Sequence, residues 1–572
     1  MSTSFKPQAI IALVGMALLL VVLALTSSTG DAVSPPSEAR KGDTYVEAMI
    51  GPPRFVNPLL AQSDTDRDLT HLVFSGLTRI DPGGDLVSDL ASGWEVSPDS
   101  RVYTFTLKPD VQWHDGSALT ADDVLFTIGL LRSPDFPGDP ALAAAWSNVQ
   151  PKAPTQQMVT FELPSSDSSF IQFTTLGILP RHLWGSIKPA DIRGSELNLS
   201  PVGSGSWRYV RAPGAQPPEG SSVSLSDKPA PLVMSPDEGV LLEPFPLQEQ
   251  TGKIARLWFR LYPSFGAALT GFRLGEVHGL GHIPNDQLGA VRDSPGVNLQ
   301  QTALARYSML LMNTRSPLFD RVETRQAFVL AIDRDALVSK SLGGQGRPAV
   351  SPVLPGSWAF DDSLPLSSHN YNPAEAQRLL DTAGWKVGPG GVRTRDGVPL
   401  TVVLSANADQ PVNIEVAKQI EDYLRAVGVD VKPAYVTREV LLRDYLGPRA
   451  FHVAVASWEA QGVDPNLYRY WHSSQMSIEG GLNFSGWGNP QVDAALDAAR
   501  LSSDRVERKR QYAAFQKAFL QDVPAVILFS PLFTYATRPP AMGVTLPRVE
   551  ILEPAQRFDT LAGWSLQARG WP

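Results

Sequence analysis

The sequence contains no cysteine among its 572 residues. This absence excludes disulfide bonds, thiolate metal sites and cysteine nucleophiles. Several enzyme motifs are also missing, since no G-x-S-x-G elbow, H-E-x-x-H helix or G-K-[S/T] phosphate loop occurs. The sequence therefore predicts no catalytic residue, no metal site and no cofactor.

Positive charge is scarce as well. The chain has 49 Lys and Arg against 58 Asp and Glu, a formal net charge of −9, and no run of five or more basic residues. A nucleic-acid partner is not expected, because the phosphate backbone is bound by a basic surface. Charged residues make up 19% and hydrophobic residues 43%, the balance of a folded chain, and the length suggests two or three domains.

A long apolar run without charge extends over residues 9–25, preceded by Lys6. Its length lies where the core of a signal peptide and a short transmembrane helix overlap. We expect residues 1–28 to be an uncleaved membrane anchor, with a cleaved signal peptide as the alternative. Residues 29–42, rich in Ser, Pro and Gly, are expected to form a flexible linker. Both interpretations place the rest of the chain outside the cytoplasm.

The most distinctive stretch covers residues 86–126. The run RVYTFTL (101–107) alternates in the way typical of a strand, and Thr120 is expected to begin a helix. Trp113-His114-Asp115-Gly116 stands between the two. We expect His114 and Asp115 to pack this corner rather than to act as a catalytic dyad.

This stretch resembles the signature of the family 5 extracytoplasmic solute-binding proteins, the oligopeptide, dipeptide and nickel-chelate receptors of bacterial ABC importers. Further segments resemble the family in its own order: 51–60, 71–81, 321–338, 371–385, 457–465 and 483–499. Several motifs in one order are more specific than any single pattern. The chain departs from the family at Ser88, where proline is usual, and it lacks the lipid-modified cysteine that tethers many members.

The resemblance implies an α/β fold of the two-lobed periplasmic-binding-protein type, with an extra subdomain in lobe 1 and a ligand cleft between the lobes. The implied divisions are lobe 1 at 43–77, 202–312 and 526–572, the inserted subdomain at 78–201, and lobe 2 at 313–525. Residues 212–250, rich in Pro and Ser, depart from the family and are expected to form an exposed, irregular insertion.

Local signals predict the elements of the second half of the chain. Apolar periodicity predicts helices over Gln326–Leu342, Pro490–Leu501 and Arg505–Asp522, and a strand over Ala525–Ser530. Helices and strands alternate here, which is typical of a mixed lobe with helices packed on a sheet.

Trp458 and Gln461 are the most informative candidates for ligand contact. They follow a predicted strand, FHVAVAS (451–457), whose end should open into the cleft. Peptide-binding relatives commonly carry an aspartate three residues after this tryptophan, where it pairs with the ligand ammonium. The amide of Gln461 cannot neutralise such a charge, which is costly to bury unpaired. The alternative that Gln461 never touches the ligand stays open, and Asp464 is expected to cap its own turn.

Other candidates are carried over from the family by motif. The residues expected to line the cleft are Gln62, Ser63, Asp64, Thr65, Asn483 and Phe484. Trp471 and Trp487 fit the core as well as they fit the cleft. His278 and His282 are expected to be surface or loop residues rather than metal ligands, because the glycines in HGLGH argue against a rigid helical site.

The resemblance implies a receptor that delivers a peptide-like solute to an ABC importer by closure of its lobes. The implied partners are the solute and the permease subunits in the membrane, and the receptor would be a monomer. One alternative is a sensor that reports its ligand without transport; another is an oligosaccharide or metal chelate in place of a peptide. An enzyme on the same fold is disfavoured by the missing catalytic motifs.

Overall fold

The computed structural model describes residues 44–210, 239–245, 253–460, 462–476 and 481–567. The predicted anchor (1–28), the predicted linker (29–42), Gln461 and most of the 212–250 insertion lie outside these ranges. Within the described ranges, no helix has the length and apolar character needed to cross a membrane.

The described residues form 23 strands, most of them short. In chain order they are β1 (Thr44–Ile50), β2 (Thr78–Ile80), β3 (Leu86–Ser88), β4 (Ala91–Val96), β5 (Val102–Leu107), β6 (Gln150–Thr155), β7 (Met158–Glu162), β8 (Trp207–Val210), β9 (Gly239–Pro244), β10 (Arg256–Tyr262), β11 (Gly279–Leu280), β12 (Asn298–Ala303), β13 (Arg306–Met312), β14 (Gly346–Pro348), β15 (Lys386–Val387), β16 (Arg393–Arg395), β17 (Val398–Pro399), β18 (Thr401–Asn407), β19 (Asp430–Val436), β20 (Val453–Glu459), β21 (Ala525–Thr537), β22 (Ala541–Met542) and β23 (Ser565–Leu566).

The α-helices alternate with these strands. They are α1 (Asp64–Val73), α2 (Ala121–Leu131), α3 (Pro140–Trp146), α4 (Arg181–Trp184), α5 (Phe265–Leu274), α6 (Leu288–Arg292), α7 (Val322–Ala331), α8 (Arg334–Ser341), α9 (Pro373–Thr382), α10 (Pro411–Ala426), α11 (Arg438–Val440), α12 (Tyr468–Trp471), α13 (Pro490–Leu501) and α14 (Arg505–Asp522). The longest 3-10 helix, Pro554–Gly563, lies near the C-terminus.

One large mixed sheet runs through both halves of the molecule, in the order β19-β18-β20-β13-β21-β11-β1-β10-β9-β8. The long strand β21 joins the halves, because its residues 525–529 pair with β13 and its residues 532–537 pair with β12. Side chains of β13 alternate between two apolar cores, Leu310 in one and Leu311 in the other. Such alternation follows from the two-residue period of a strand buried on both faces.

Strand β13 and the first half of β21 pack in the cores of the second lobe. The expected divisions assign residues up to 312 and from 526 onward to lobe 1. The two strands thus carry the chain between the lobes, and the domain boundaries stay predictions.

The inserted region holds a four-stranded sheet, β4-β5-β7-β6, whose core includes the buried rings of Trp113, Phe105 and Phe161. His114 and Asp115 bind different partners, as expected of a packed corner. The Nε2 of His114 lies 2.9 Å from the carbonyl oxygen of Gly205, and burial lowers the pKa of His114 to about 4.

Part of the 212–250 insertion is ordered sheet. Strand β9 (Gly239–Pro244) pairs with both β8 and β10, and Val240, Leu242 and Phe245 are buried. The expectation of an exposed, irregular excursion is therefore wrong for 239–245. The apolar run VLLEPF (240–245) buries side chains and pairs with two strands. The stability gained in this way outweighs the tendency to irregular structure that the Pro- and Ser-rich composition predicts.

Candidate functional site

A cavity of about 300 Å³ lies between the two lobes. Segments from distant parts of the chain line it: Gly83–Asp85, Ala305, Pro352–Leu354, Gly356–Trp358, Trp458, Ala460, Gly462, Val463, Pro465, Arg505, Val549, Glu550 and Leu552. Residues on either side of Gln461 line this cavity, while Gln461 itself lies outside the described residues.

Contacts between the lobes close the cleft around this cavity. The guanidinium of Arg505 pairs with the carboxylate of Asp85 at 2.7 Å, joining α14 to the turn between β2 and β3. The hydroxyl of Ser168 donates to the carbonyl of Ala499 at 3.1 Å. Both contacts join the predicted inserted subdomain (78–201) to the predicted second lobe (313–525).

Trp458 lies near the end of β20, on the cavity wall. Its ring stacks on Tyr307, with ring centroids 5.0 Å apart, and meets Tyr470 edge-on at 6.1 Å. Pairing of β13 with β20 places Tyr307 opposite Trp458, which explains the stack. Only 6% of Trp458 is exposed, and no described residue accepts a hydrogen bond from its indole N–H. Of the predicted site residues that the structure describes, Trp458 alone lines the cavity.

Asp464 holds the turn that follows Gln461. One carboxylate oxygen accepts from the backbone N–H of Asn466 at 3.1 Å and from the hydroxyl of Tyr512 at 3.0 Å. The other pairs with the buried guanidinium of Arg508. The backbone N–H of Asp464 donates to the side chain of Gln172 across the cleft, at 3.3 Å. The expectation that Asp464 caps its turn is confirmed.

Sequence reasoning missed three parts of the wall, residues 83–85, 352–358 and 549–552. The middle segment contains Trp358, whose indole N–H donates to the carbonyl of Val463 at 3.0 Å. Its run P-V-L-P-G-S-W is a conspicuous Pro, Gly and Trp loop, and it could have been singled out. Residues 83–85 belong to the run D-P-G-G-D, which predicts a turn, whereas residues 549–552 carry no comparable local signal.

Gln62 to Thr65 form the start of α1 and do not line the cavity. The hydroxyl of Ser63 accepts from the backbone N–H of Asp66 at 3.0 Å, and Thr65 donates to the carbonyl of Ile50 at 3.2 Å. These contacts cap the helix and attach it to β1. A role of these residues in ligand binding stays a prediction.

Asn483 and Phe484 lie inside the second lobe rather than on the cavity wall. Asn483 is fully buried, and its amide donates to the carbonyls of Trp471 and Trp487 at 3.3 and 2.8 Å. Phe484 packs against the same apolar core, which contains both tryptophans. Trp471 and Trp487 are thus core residues, and Asn483 ties the loops around them.

As expected, the histidines of HGLGH lie in loops, on either side of β11, and both are partly buried. His278 accepts from the backbone N–H of Val46 at 3.1 Å, and His282 lies between the carboxylates of Asp64 and Asp68, at 3.0 and 3.1 Å. Burial lowers the pKa of His282, but the charge of Asp68 and the hydrogen bonds to both carboxylates outweigh it and raise the pKa to about 9. His282 is therefore a charged link between α1 and the loop after β11.

This link predicts a pH dependence of stability. The pKa of His282 is about 9 in the folded chain against 6.5 ordinarily, so its contribution is complete below about pH 6.5 and is lost as pH rises through 9. Between pH 7 and 10, the free energy of unfolding should fall further in the wild type than in His282→Gln, by on the order of 1–3 kcal/mol. Urea titrations at both pH values measure this, with His182→Gln as the control; equal losses in wild type and His282→Gln would contradict it.

A two-lobed α/β fold with a cavity between its lobes is the architecture of the periplasmic binding proteins. The chain matches the family model described as "Bacterial extracellular solute-binding proteins, family 5 Middle" over residues 85–478. The chain therefore belongs to family 5 of the bacterial extracellular solute-binding proteins. The resemblance in the sequence and the two-lobed α/β fold that it implied are both confirmed.

Similar proteins align with nearly the whole chain. The oligopeptide-binding protein AppA of Bacillus subtilis is 26% identical over 533 residues, 91% of this chain and 93% of its own length. The structure of HbpA2 from Haemophilus parasuis covers 92% of this chain and 100% of its own, with a TM-score of 0.76 and 19% identity. That of NikZ from Campylobacter jejuni in complex with Ni(L-His) covers 92% and 99%, with a TM-score of 0.66 and 24% identity.

Proposed function

We propose that this chain binds a short peptide or a similar small solute in the cavity between its lobes and delivers it to the permease of an ABC importer. The observation that carries the proposal is a cavity with walls from both lobes and Trp458 on one of them. The curated relative AppA is an oligopeptide-binding protein, and it aligns with nearly the full chain.

The size of the cavity limits the size of the solute that it can hold. Its volume of about 300 Å³ lies at the low end of ligand pockets and corresponds to about ten waters at roughly 30 Å³ each. A dipeptide or another compact solute fits this volume better than a long peptide. The exposed edge of Trp458 supplies an apolar contact suited to a peptide or to a sugar ring.

The remaining parts of the proposal come from the sequence. Residues 1–28 would tether the receptor to the outer face of the cytoplasmic membrane, and the receptor would act as a monomer without catalysis. A sensor without transport would use the same cleft, as would a receptor for a metal chelate of the kind bound to NikZ. Solute uptake by cells that contain or lack this chain separates transport from sensing, because only a transport receptor is required for uptake.

Native mass spectrometry of the purified chain tests the solute class. We expect a bound mass that fragments as a peptide and that is released by denaturation. An oligosaccharide or a metal complex in its place would move the assignment to the corresponding alternative. A chain that retains nothing and binds no peptide in calorimetry would contradict the proposal.

A further prediction concerns Gln461. If this amide occupies the position where peptide-binding relatives hold an ammonium, Gln461→Asp should tighten binding of free-amine peptides by about tenfold or more, because a charge-assisted hydrogen bond contributes roughly 1.5–3 kcal/mol. Calorimetry with matched free and N-acetylated peptides measures the difference. The wild type should prefer ligands without a free amine at this position, and equal affinities in both proteins would show that Gln461 lies outside the site.

A further inference from the structure

The cavity wall contains three charged residues among those that the structure describes: Asp85, Arg505 and Glu550. Asp85 and Arg505 pair with each other at 2.7 Å, so their charges offset one another. Glu550 forms no ion pair with any described residue. The described lining therefore carries one carboxylate without a cation beside it.

Glu550 stands where the lobes meet. It belongs to the segment after β21, where Ile551 bridges to Leu304 and packs into the core of the first lobe. Its Oε1 accepts from the backbone N–H of Gly356 in the second lobe at 3.0 Å. A Cβ at residue 356 would lie 2.8 Å from the Glu550 carboxyl carbon, so glycine permits this approach. This contact covers part of the carboxyl group, and Glu550 is partly buried.

This environment is unfavourable for the ionised side chain. Burial raises the pKa of Glu550 to about 7, and the Gly356 N–H and the more distant charge of Arg347 offset it only in part. A partly buried carboxylate without a cation is less favourable than a solvated one, whereas an ionised partner restores the charged form. A positively charged group on the solute would stabilise the ionised form of Glu550.

We propose that Glu550 binds the positively charged group of the solute, an ammonium such as the free amino terminus of a short peptide. The inference rests on the proposed function and adds the residue that selects charge. Recognition then occurs on the part of the wall that Glu550 forms, and it is coupled to closure because Gly356 of the second lobe covers part of the Glu550 carboxyl group. It is an alternative to the Gln461 prediction: an ammonium held by Glu550 does not lie beside residue 461, so the wild type would prefer free over acetylated peptides and Gln461→Asp would leave their affinity unchanged.

Calorimetry of the full chain with dialanine and trialanine, and with their N-acetylated forms, tests this. Glu550→Gln keeps the acceptor for the Gly356 N–H and removes the charge, so we expect free peptides to bind about tenfold or more weakly and acetylated peptides to be unaffected. Glu459→Gln is the matched control, because Glu459 is an exposed carboxylate that pairs with Arg306 outside the cavity. It should change neither affinity. Thermal melting of each variant verifies folding.

Proton competition supplies a second readout. Because Glu550 must be ionised to bind a cation, wild-type affinity for free peptides should fall up to about tenfold from pH 8 to pH 6, and Glu550→Gln should lose this dependence. Peptides that bind equally well to wild type and Glu550→Gln would overturn the inference and leave the proposed function standing. Failure of both free and acetylated peptides to bind would overturn the proposed function, and the inference with it.

Discussion

Replacing Arg557 with methionine is expected to lower the free energy of unfolding by about 3–5 kcal/mol, because it leaves the buried carboxylate of Glu47 without a cation and that of Asp68 with His282 alone. Arg557 is fully buried, and its guanidinium binds Glu47 at 2.9 Å and Asp68 at 2.6 and 2.7 Å. It also lies 4.0 Å from the ring centroid of Phe558. The residue thus fastens the C-terminal 3-10 helix to β1 and α1.

The two carboxylates differ in how they depend on Arg557. Burial raises the pKa of Glu47, and the charge of Arg557 offsets this only in part. Burial also acts on Asp68, but the charges of Arg557 and His282 outweigh it and lower the pKa of Asp68. Without Arg557, both groups would have to take up protons or water in the core of the first lobe, and this is the source of the large effect.

Urea denaturation of the full chain, followed by tryptophan fluorescence, measures the loss. Arg378→Met is the matched control, since Arg378 forms an exposed pair with Glu375 on one helix, and such pairs contribute at most about 1 kcal/mol. Adding Glu47→Gln and Asp68→Asn to Arg557→Met should recover part of the stability. A loss below about 1 kcal/mol in Arg557→Met would show that water reaches this network.

The second large effect is expected at Asp464. Replacing it with alanine leaves the buried guanidinium of Arg508 unpaired and removes the acceptor of the Tyr512 hydroxyl, which should cost about 3–5 kcal/mol. The ring of Trp358 lies 5.4 Å from the Arg508 guanidinium and forms part of the cavity wall. The same substitution should therefore weaken solute binding as well as stability.

A double variant separates the two consequences. Arg508→Met added to Asp464→Ala removes the unpaired charge and should recover stability, while the N–H of Asn466 still lacks its cap and the cavity wall stays altered. Thermal melting and calorimetry with the same peptides measure both quantities. Glu507→Ala is the control, because Glu507 pairs with Arg510 on the exposed face of α14. Unchanged melting of Asp464→Ala would contradict the expected role of the pair.

Local signals in the sequence predicted many elements well. The predicted helices Pro490–Leu501 and Arg505–Asp522 are α13 and α14. Asn489 and Asp504 cap them with their own side chains, so the boundary information lies within a few residues. The prediction of a single helix over Gln326–Leu342 was wrong. The chain forms two helices here, α7 and α8, because Asp333 caps the start of the second.

The sequence by itself determined the family, the class of fold and Trp458 as a residue of the cleft, because these depend on motifs and periodicities that short stretches carry. Only the tertiary structure decided which other residues meet in the cavity. The packing of the lobes brings together residues 83–85, 352–358 and 549–552. Glu550 differs from other glutamates of the chain only because the structure places it on this wall, against Gly356. Burial and charge pairing depend on such distant neighbours, so no local pattern could reveal them.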